Sequence, residues 1–125
     1  MSNHAEVVDR YLAIWNEPDA DRRRATIARL WEANAVHFTN SLEARGYDAI
    51  EARVKTAYDK YVATGEYVFK PATAADEHHN AVRLRWKMVP PAGGEVAAEG
   101  SVFIILGEDG RIRTDYQFSD PAPKA

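Results

Sequence analysis

The sequence predicts an α+β fold in which three N-terminal helices pack on one side of a curved, mostly antiparallel sheet. Apolar residues recur at helical spacing in three segments before Gly65. From Val82 to Met88, apolar and charged residues alternate strictly, which is typical of a strand with one wet face. A dense apolar run at 102–106 meets a turn at 107–110 and a second alternating run, which indicates a hairpin. Helices followed by strands with short connections favour this arrangement.

The amino-acid composition excludes several classes of protein. The 125 residues, 46% hydrophobic and 28% charged, fit one globular domain spanning residues 1–125. A net charge of −3 argues against nucleic acid as a partner, because phosphate binding requires clustered positive charge. The absence of cysteine excludes disulfides and thiol chemistry. No stretch approaches the ~20 apolar residues of a membrane span. We therefore expect a soluble, cytoplasmic protein with no membrane partner.

The first two helices follow from their apolar stripes and caps. The first covers residues 4–16 and places Tyr11 on its buried face. Asp19 or Asp21 can cap a second helix, which we expect to end near Ala35.

The third helix and the first strand flank a turn-rich stretch. The helix covers residues 50–62, and Gly65 supplies its left-handed cap. Residues 36–39 read as a short strand, in which alternation puts His37 and Thr39 on one face.

Two further segments complete the strand pattern. Tyr67 and Phe69 begin a strand that Pro71 confines to an edge or a bulge. His78 and His79 lie in a turn as adjacent residues with no carboxylate at ligand spacing. We therefore expect no metal site, and no cofactor is required.

The register of the C-terminal hairpin decides which side chains share a face, because a one-residue slip flips them. We predict a three-residue turn with the pairs Leu106–Ile112, Ile104–Thr114 and Val102–Tyr116. The first face is then largely apolar and carries Val102, Ile104, Leu106, Ile112, Tyr116 and Phe118. The second, a predicted pocket wall, carries Ser101, Phe103, Ile105, Arg113, Asp115 and Gln117. A two- or four-residue turn would undo this grouping. The apolar face predicts a homodimer, since a soluble monomer rarely exposes such a patch.

Three side chains are candidates for proton-transfer chemistry. His37 lies mid-strand between apolar residues and could titrate near neutral pH. From a buried helical stripe, the Tyr11 phenol can donate to a developing oxyanion. Asp115 is an acid in the final strand, where a pocket would disfavour its charged form. Each of the three also has a structural explanation: a hydrogen-bonded imidazole, a core aromatic and a solvated acid.

Three motifs together resemble the nuclear transport factor 2-like superfamily, which includes ketosteroid isomerases, limonene epoxide hydrolase and SnoaL-like polyketide cyclases. The motifs are residues 7–16 in the first helix, 46–50 at the start of the third, and 109–112 before the last strand. The resemblance spans nearly the whole chain. It implies a cone-shaped sheet with the helices on its concave side, and dimerisation through the sheet.

The resemblance also suggests roles for individual residues. In ketosteroid isomerases the tyrosine of the first helix is an oxyanion donor, and Tyr11 matches it. The general-base aspartate of those enzymes falls near residues 39–40 here, and the protonated aspartate of their oxyanion hole falls near Ser101. The last-strand aspartate of SnoaL-like cyclases falls at Gln117, two residues after Asp115. Three of the family's catalytic carboxylates thus have no counterpart at the matching positions.

Our leading hypothesis is a cofactor-free cavity enzyme, an isomerase, cyclase or dehydratase, acting on a small apolar carbonyl compound. His37 or Asp115 would move the proton, and Tyr11 would stabilise the enolate. The residues expected to bind substrate are Trp15, Trp31, Thr39, Tyr58, Trp86, Ser101, Phe103 and Gln117. Two alternatives stay open: a non-catalytic pocket for a small apolar ligand, and a dimeric interaction module.

Overall fold

The structure is a computed structural model that describes residues 4–120 of the chain. Within that range the α-helices are α1 (His4–Ile14), α2 (Ala20–Leu30) and α3 (Gly46–Ala57), and α3 continues into a π-helical turn (Tyr58–Val62). The strands are β1 (Trp31–Phe38), β2 (Glu43–Arg45), β3 (Val68–Pro71), β4 (Asp76–His78), β5 (Ala81–Val89), β6 (Ala98–Leu106) and β7 (Ile112–Asp120). The predicted α+β class is confirmed.

The strands of the described region form one curved sheet in the order β2-β1-β7-β6-β5-β3, and β4 pairs with β5 off this path. Neighbours run antiparallel except β1 and β7, which are parallel. The sheet is therefore mostly antiparallel, as predicted. Because β7 lies between β1 and β6, its inward side chains reach the core beneath the helices.

The second helix is shorter than the sequence predicts. Asp19 caps its start, and the carboxylate accepts two backbone N–H bonds of the first turn at 2.9 and 3.0 Å. The helix ends at Leu30, not near Ala35, and Trp31 opens β1 with extended backbone. Trp31 continues the apolar spacing of the helix but pairs with Ile112 of β7. Pairing in the sheet overrides the helical period here.

The predicted edge strand and the alternating strand are both present. β3 ends the sheet on one side, as Pro71 requires. In β5 the alternating apolar residues are buried, namely Val82, Leu84, Trp86 and Met88. The short strand β2, antiparallel to β1, was not predicted. Gly65 has φ +81° beyond the π-helical turn, which is the left-handed conformation that its predicted role as a cap needs.

A β-bulge separates the observed hairpin register from the predicted one. Leu106 pairs with Ile112 as predicted, but the next pair is Ile105 with Thr114, so Arg113 is the extra residue of the bulge. The following pairs are Ile104–Asp115, Phe103–Tyr116, Val102–Gln117 and Ser101–Phe118. The predicted pairs Ile104–Thr114 and Val102–Tyr116 are therefore wrong.

The bulge also redistributes the two faces of the hairpin. Ile112 and Asp115 are both buried, although three residues of regular strand would put them on opposite faces. Asp115 thus shares the inner face with Val102 and Ile104, and not with Ser101 or Phe103, as predicted. The predicted dimer face changes accordingly. Four of its members, Val102, Ile104, Leu106 and Ile112, are core residues.

The outer face of the hairpin carries an aromatic patch, which we define as Phe103, Tyr116 and Phe118. These side chains are 41%, 42% and 53% exposed. The rings of Phe103 and Phe118 meet edge to face at a centroid distance of 5.7 Å. Phe38 of β1 stacks on Tyr116 at 4.9 Å. In residues 4–120, no helix has the length and apolar character to cross a membrane.

Candidate active site

A buried carboxylate, Asp115, is the centre of a polar cluster between the helices and the sheet. Its Oδ2 accepts a hydrogen bond from the Tyr11 hydroxyl at 2.8 Å and lies 2.7 Å from Nδ1 of His37. Its Oδ1 accepts from the indole Nε1 of Trp31 at 2.9 Å. All four side chains are buried, three of them with no exposed surface. Three donors around one carboxylate compensate for the loss of water.

The contact with Asp115 determines which ring nitrogen of His37 carries the hydrogen. An ionised carboxylate can only accept, so Nδ1 of His37 carries the hydrogen in its contact with Asp115. In the neutral ring, Nε2 then carries the lone pair. Nε2 is buried and has no hydrogen-bond partner in the described structure. The carboxylate thus holds the imidazole through Nδ1 and leaves Nε2 without a partner. An imidazole held in this way can accept and release a proton.

Tyr11 connects this cluster to a cavity. Burial raises the pKa of the Tyr11 phenol well above its ordinary value, and the charge and hydrogen bond of Asp115 raise it further, while Arg53 opposes the shift. The phenol therefore stays protonated at working pH. Tyr11 also lines the cavity, whereas Asp115 and His37 lie behind its wall.

The cavity lies between α1, α3 and the inner face of the sheet, with a volume of about 190 Å³. Its wall is mostly apolar and aromatic, with a few polar groups. The lining residues are Tyr11, Leu12, Trp15, Arg53, Ala57, Tyr61, Phe69, Trp86, Met88, Ala98, Gln117 and Ser119. An apolar wall with few polar groups is typical of a small-molecule site.

Arg53 is the charged member of this wall. Its Nη2 donates to Oε1 of Gln117 at 2.7 Å, and its guanidinium carbon lies 5.2 Å from the centre of the Trp15 ring. Burial lowers the pKa of Arg53 from its ordinary value, while electrostatic interactions with Tyr11, Tyr61 and Asp115 oppose that shift. The guanidinium remains charged in proteins.

The predicted site residues fall into three groups. Tyr11, Trp15, Trp86 and Gln117 line the cavity. Asp115, His37 and Trp31 form the cluster behind the wall. Thr39, Tyr58, Ser101 and Phe103 do not line the cavity.

The residues of the third group lie outside the cavity for different reasons. Ser101 and Phe103 are on the other face because of the bulge, so their predicted place in the pocket wall is wrong. The guanidinium of Arg23 covers Tyr58, with its carbon 5.0 Å from the ring centre. Thr39 lines an outer depression of about 560 Å³, which shares Arg53 and Gln117 with the cavity.

Sequence reasoning missed Arg53 and the role of Trp31. Arg53 lies three residues after Ile50 and four before Ala57, on the buried stripe of α3. A charged residue on an apolar stripe was the available signal. Trp31 gave no such signal, because its partner Asp115 is 84 residues away in the chain.

A separate groove of about 520 Å³ lies where α1 and α2 meet the β6–β7 turn. Many of its lining side chains are charged, including Glu6, Arg10, Arg29, Glu108, Asp109 and Arg111. No member of the Asp115 cluster is among the described residues that line this groove, whereas Tyr11 lines the smaller cavity, which is therefore the candidate active site.

The curved, mostly antiparallel sheet and the three helices define the chain as a nuclear transport factor 2-like protein. The sequence profile of the SnoaL-like domain matches residues 8–114, and the chain belongs to this family. None of the curated proteins matches the chain.

Solved structures give the same result. A candidate isomerase of the SnoaL-like family from Agrobacterium tumefaciens is 31% identical, with a TM-score of 0.86 over 97% of this chain and 100% of its own. A candidate polyketide cyclase from Sinorhizobium meliloti, 17% identical, has a TM-score of 0.68 over 90% and 93%. A nuclear transport factor 2-like protein from an Exiguobacterium species, 20% identical, has a TM-score of 0.67 over 93% and 99%. The latter two show the fold alone.

Proposed function

We propose that the chain is a cofactor-free proton-transfer enzyme, an isomerase, cyclase or dehydratase, acting on a small and largely apolar carbonyl compound. One observation carries this proposal. Tyr11 lines the cavity, and its hydroxyl donates to a carboxylate that also lies 2.7 Å from an imidazole nitrogen. The related structure described as a candidate isomerase supports the same class of reaction.

We assign a role to each group on the basis of these contacts. Tyr11 touches the compound, and its oxygen takes the proton from a carbon next to the carbonyl as its own hydrogen passes to Asp115. His37 stabilises the carboxyl group through Nδ1 and holds its orientation. The high pKa of Tyr11 keeps the phenol neutral in both directions: as its oxygen returns a proton to the carbon, the hydrogen on Asp115 passes back to it. If the proton returns at a different carbon, the product is an isomer.

Deuterium exchange tests this proposal without knowledge of the natural substrate. The probes are phenylacetone and phenylpyruvate in D₂O, and proton NMR follows the loss of the signal of their CH₂ group. We expect the protein to accelerate exchange of at least one probe. Tyr11→Phe, Asp115→Asn and His37→Gln should each slow that exchange about 100-fold or more, the usual contribution of a positioned acid or base.

The control for exchange is Thr56→Ala, on the exposed side of α3, which should exchange the probe like the parent. Circular dichroism checks that each variant is folded. Folded Tyr11, Asp115 or His37 variants that exchange the probe at the parent rate would contradict the proposed proton transfer through Tyr11 and Asp115.

A second candidate function is a non-catalytic pocket for a small apolar ligand. It is favoured by the lack of any exposed surface on His37 and Asp115, neither of which reaches the cavity wall. Native mass spectrometry of the purified protein distinguishes the two functions. A retained ligand, together with no exchange of either probe, would favour the binding pocket.

We also propose a homodimer that buries the aromatic patch of Phe103, Tyr116 and Phe118. A second copy suits this patch because the three rings lie on the outer face of the central strands β6 and β7, where the sheet can meet its symmetry mate. Phe118→Glu should weaken self-association about 30-fold or more in sedimentation at micromolar concentration. Leu42→Glu, an exposed apolar residue outside the patch, should have no effect. A monomeric parent would contradict the dimer.

A further inference from the structure

Three buried N–H groups without acceptors belong to residues that line the cavity. They are the indole Nε1 of Trp15, the indole Nε1 of Trp86 and Nε of Arg53. Indole and guanidinium nitrogens only donate, so each needs an acceptor that the described residues do not provide. A buried donor without a partner is unfavourable. The surroundings of the cavity are therefore short of hydrogen-bond acceptors.

Arg53 adds a positive charge that lacks a counter-ion on this wall. Within residues 4–120 it makes no ion pair, and its single hydrogen bond goes to the neutral amide of Gln117. No acid is among the residues that line the cavity. The nearest cluster acid, Asp115, already has three partners on its two oxygens.

The acceptor that best matches a guanidinium is a carboxylate. The planar fork of the guanidinium can donate two parallel hydrogen bonds to a carboxylate. The Trp15 ring lies against the guanidinium at 5.2 Å and helps to hold its plane. The rest of the wall offers apolar surface, mainly from Leu12, Phe69, Trp86 and Met88.

From these contacts we infer that the cavity binds a small carboxylate, with the carboxylate on Arg53 and the apolar part against the aromatic wall. The inference rests on the proposed function only in taking this cavity as the ligand site. It narrows the substrate class to carbonyl compounds that carry an acid group. Arg53 would hold the acid group, and Tyr11, which lines the same cavity, would lie beside the reacting carbon.

Indole NMR signals provide the test, because the chain has three tryptophans. Phenylacetate and the neutral phenylacetamide serve as matched probes. Phenylacetate should shift the Nε1–H signals of Trp15 and Trp86 in a saturable manner, and those of Trp31, bound to Asp115, should move least. The amide should bind at least tenfold more weakly. Equal affinities, or no shift with millimolar phenylacetate, would overturn the inference.

Variants of Arg53 test whether this residue binds the carboxylate of the probe. Arg53→Met should weaken phenylacetate binding at least tenfold and leave the weak amide binding unchanged. Arg53→Lys should retain part of the preference, because it keeps the charge and loses the fork. Arg24→Met removes an exposed arginine of α2 and should bind like the parent. Full phenylacetate affinity in folded Arg53→Met would overturn the inference.

Acid-selective binding without deuterium exchange would support the inference and contradict the proposed enzyme.

Discussion

The Asp115→Ala variant is expected to lose about 3–5 kcal/mol of unfolding free energy. The side chain is fully buried and accepts from Tyr11, Trp31 and His37, so its removal leaves three donors in the core without an acceptor. It also leaves a void. For a domain of this size the melting temperature should fall by about 10 °C or more, measured by calorimetry or circular dichroism.

Comparison with Tyr11→Phe makes this expectation specific. That change removes one donor and leaves the carboxylate with two, so it should cost about 1–2 kcal/mol. Asp9→Ala, an exposed acid of α1, should melt like the parent. If Asp115→Ala were no less stable than Tyr11→Phe, Asp115 would not be the centre of the cluster.

A buried carboxylate is a poor way to stabilise a core. Apolar residues of similar volume often give equal or greater stability than buried charge partners. The cluster therefore needs another reason to exist, and titratable groups shielded beside a cavity are typical of functional sites. This reasoning connects the stability prediction to the exchange experiment, because both depend on the same three contacts of Asp115.

Much of the fold could be predicted because its signals are local. Helix caps, the alternation of Val82 to Met88 and the proline at position 71 act within a few residues of where they occur. The end of α2 could not be predicted in this way. Trp31 fits the helical spacing of its neighbours, and only its pairing with Ile112 of β7 shows that it belongs to a strand.

The register of the hairpin shows a different limit. The bulge at Arg113 changes the inward set of β7, yet the sequence around it alternates well enough for a regular strand. The ion pair of Arg113 with Glu32 at 3.5 Å joins the neighbouring strands β7 and β1 and has no local signature. Asp115 and Gln117 were correctly placed on one face, but their neighbours on β6, Ile104 and Val102, were predicted to lie on the opposite face.

The polar cluster depends on contacts between distant parts of the chain. Tyr11 and Asp115 are 104 residues apart, and His37 and Asp115 are 78 apart. Residue type and strand parity could nominate these three side chains. Their convergence on one carboxylate depends on the parallel pairing of β1 with β7, which no local pattern predicts.

Gly100→Ala is expected to have the second large effect, a loss of about 3 kcal/mol or more. A Cβ at this position of β6 would overlap the backbone oxygen of Phe118 and lie 2.6 Å from the Trp86 ring. The oxygen belongs to the paired strand β7, so relief requires a backbone shift. Displacement of Trp86, which lines the cavity, should also change the indole NMR signal of that residue.

Gly107→Ala is the matched control, because a Cβ there would overlap the end of the Glu32 side chain instead of backbone. A carboxylate on a flexible stem can rotate away, at the expense of its ion pair with Arg113. We expect this variant to lose about 1 kcal/mol or less, the usual worth of an ion pair near the surface. Thermal melts of the two variants measure the difference directly. Equal melting temperatures would mean that β6 and β7 can separate at Gly100 without penalty, and would contradict the close approach of Trp86 to that strand.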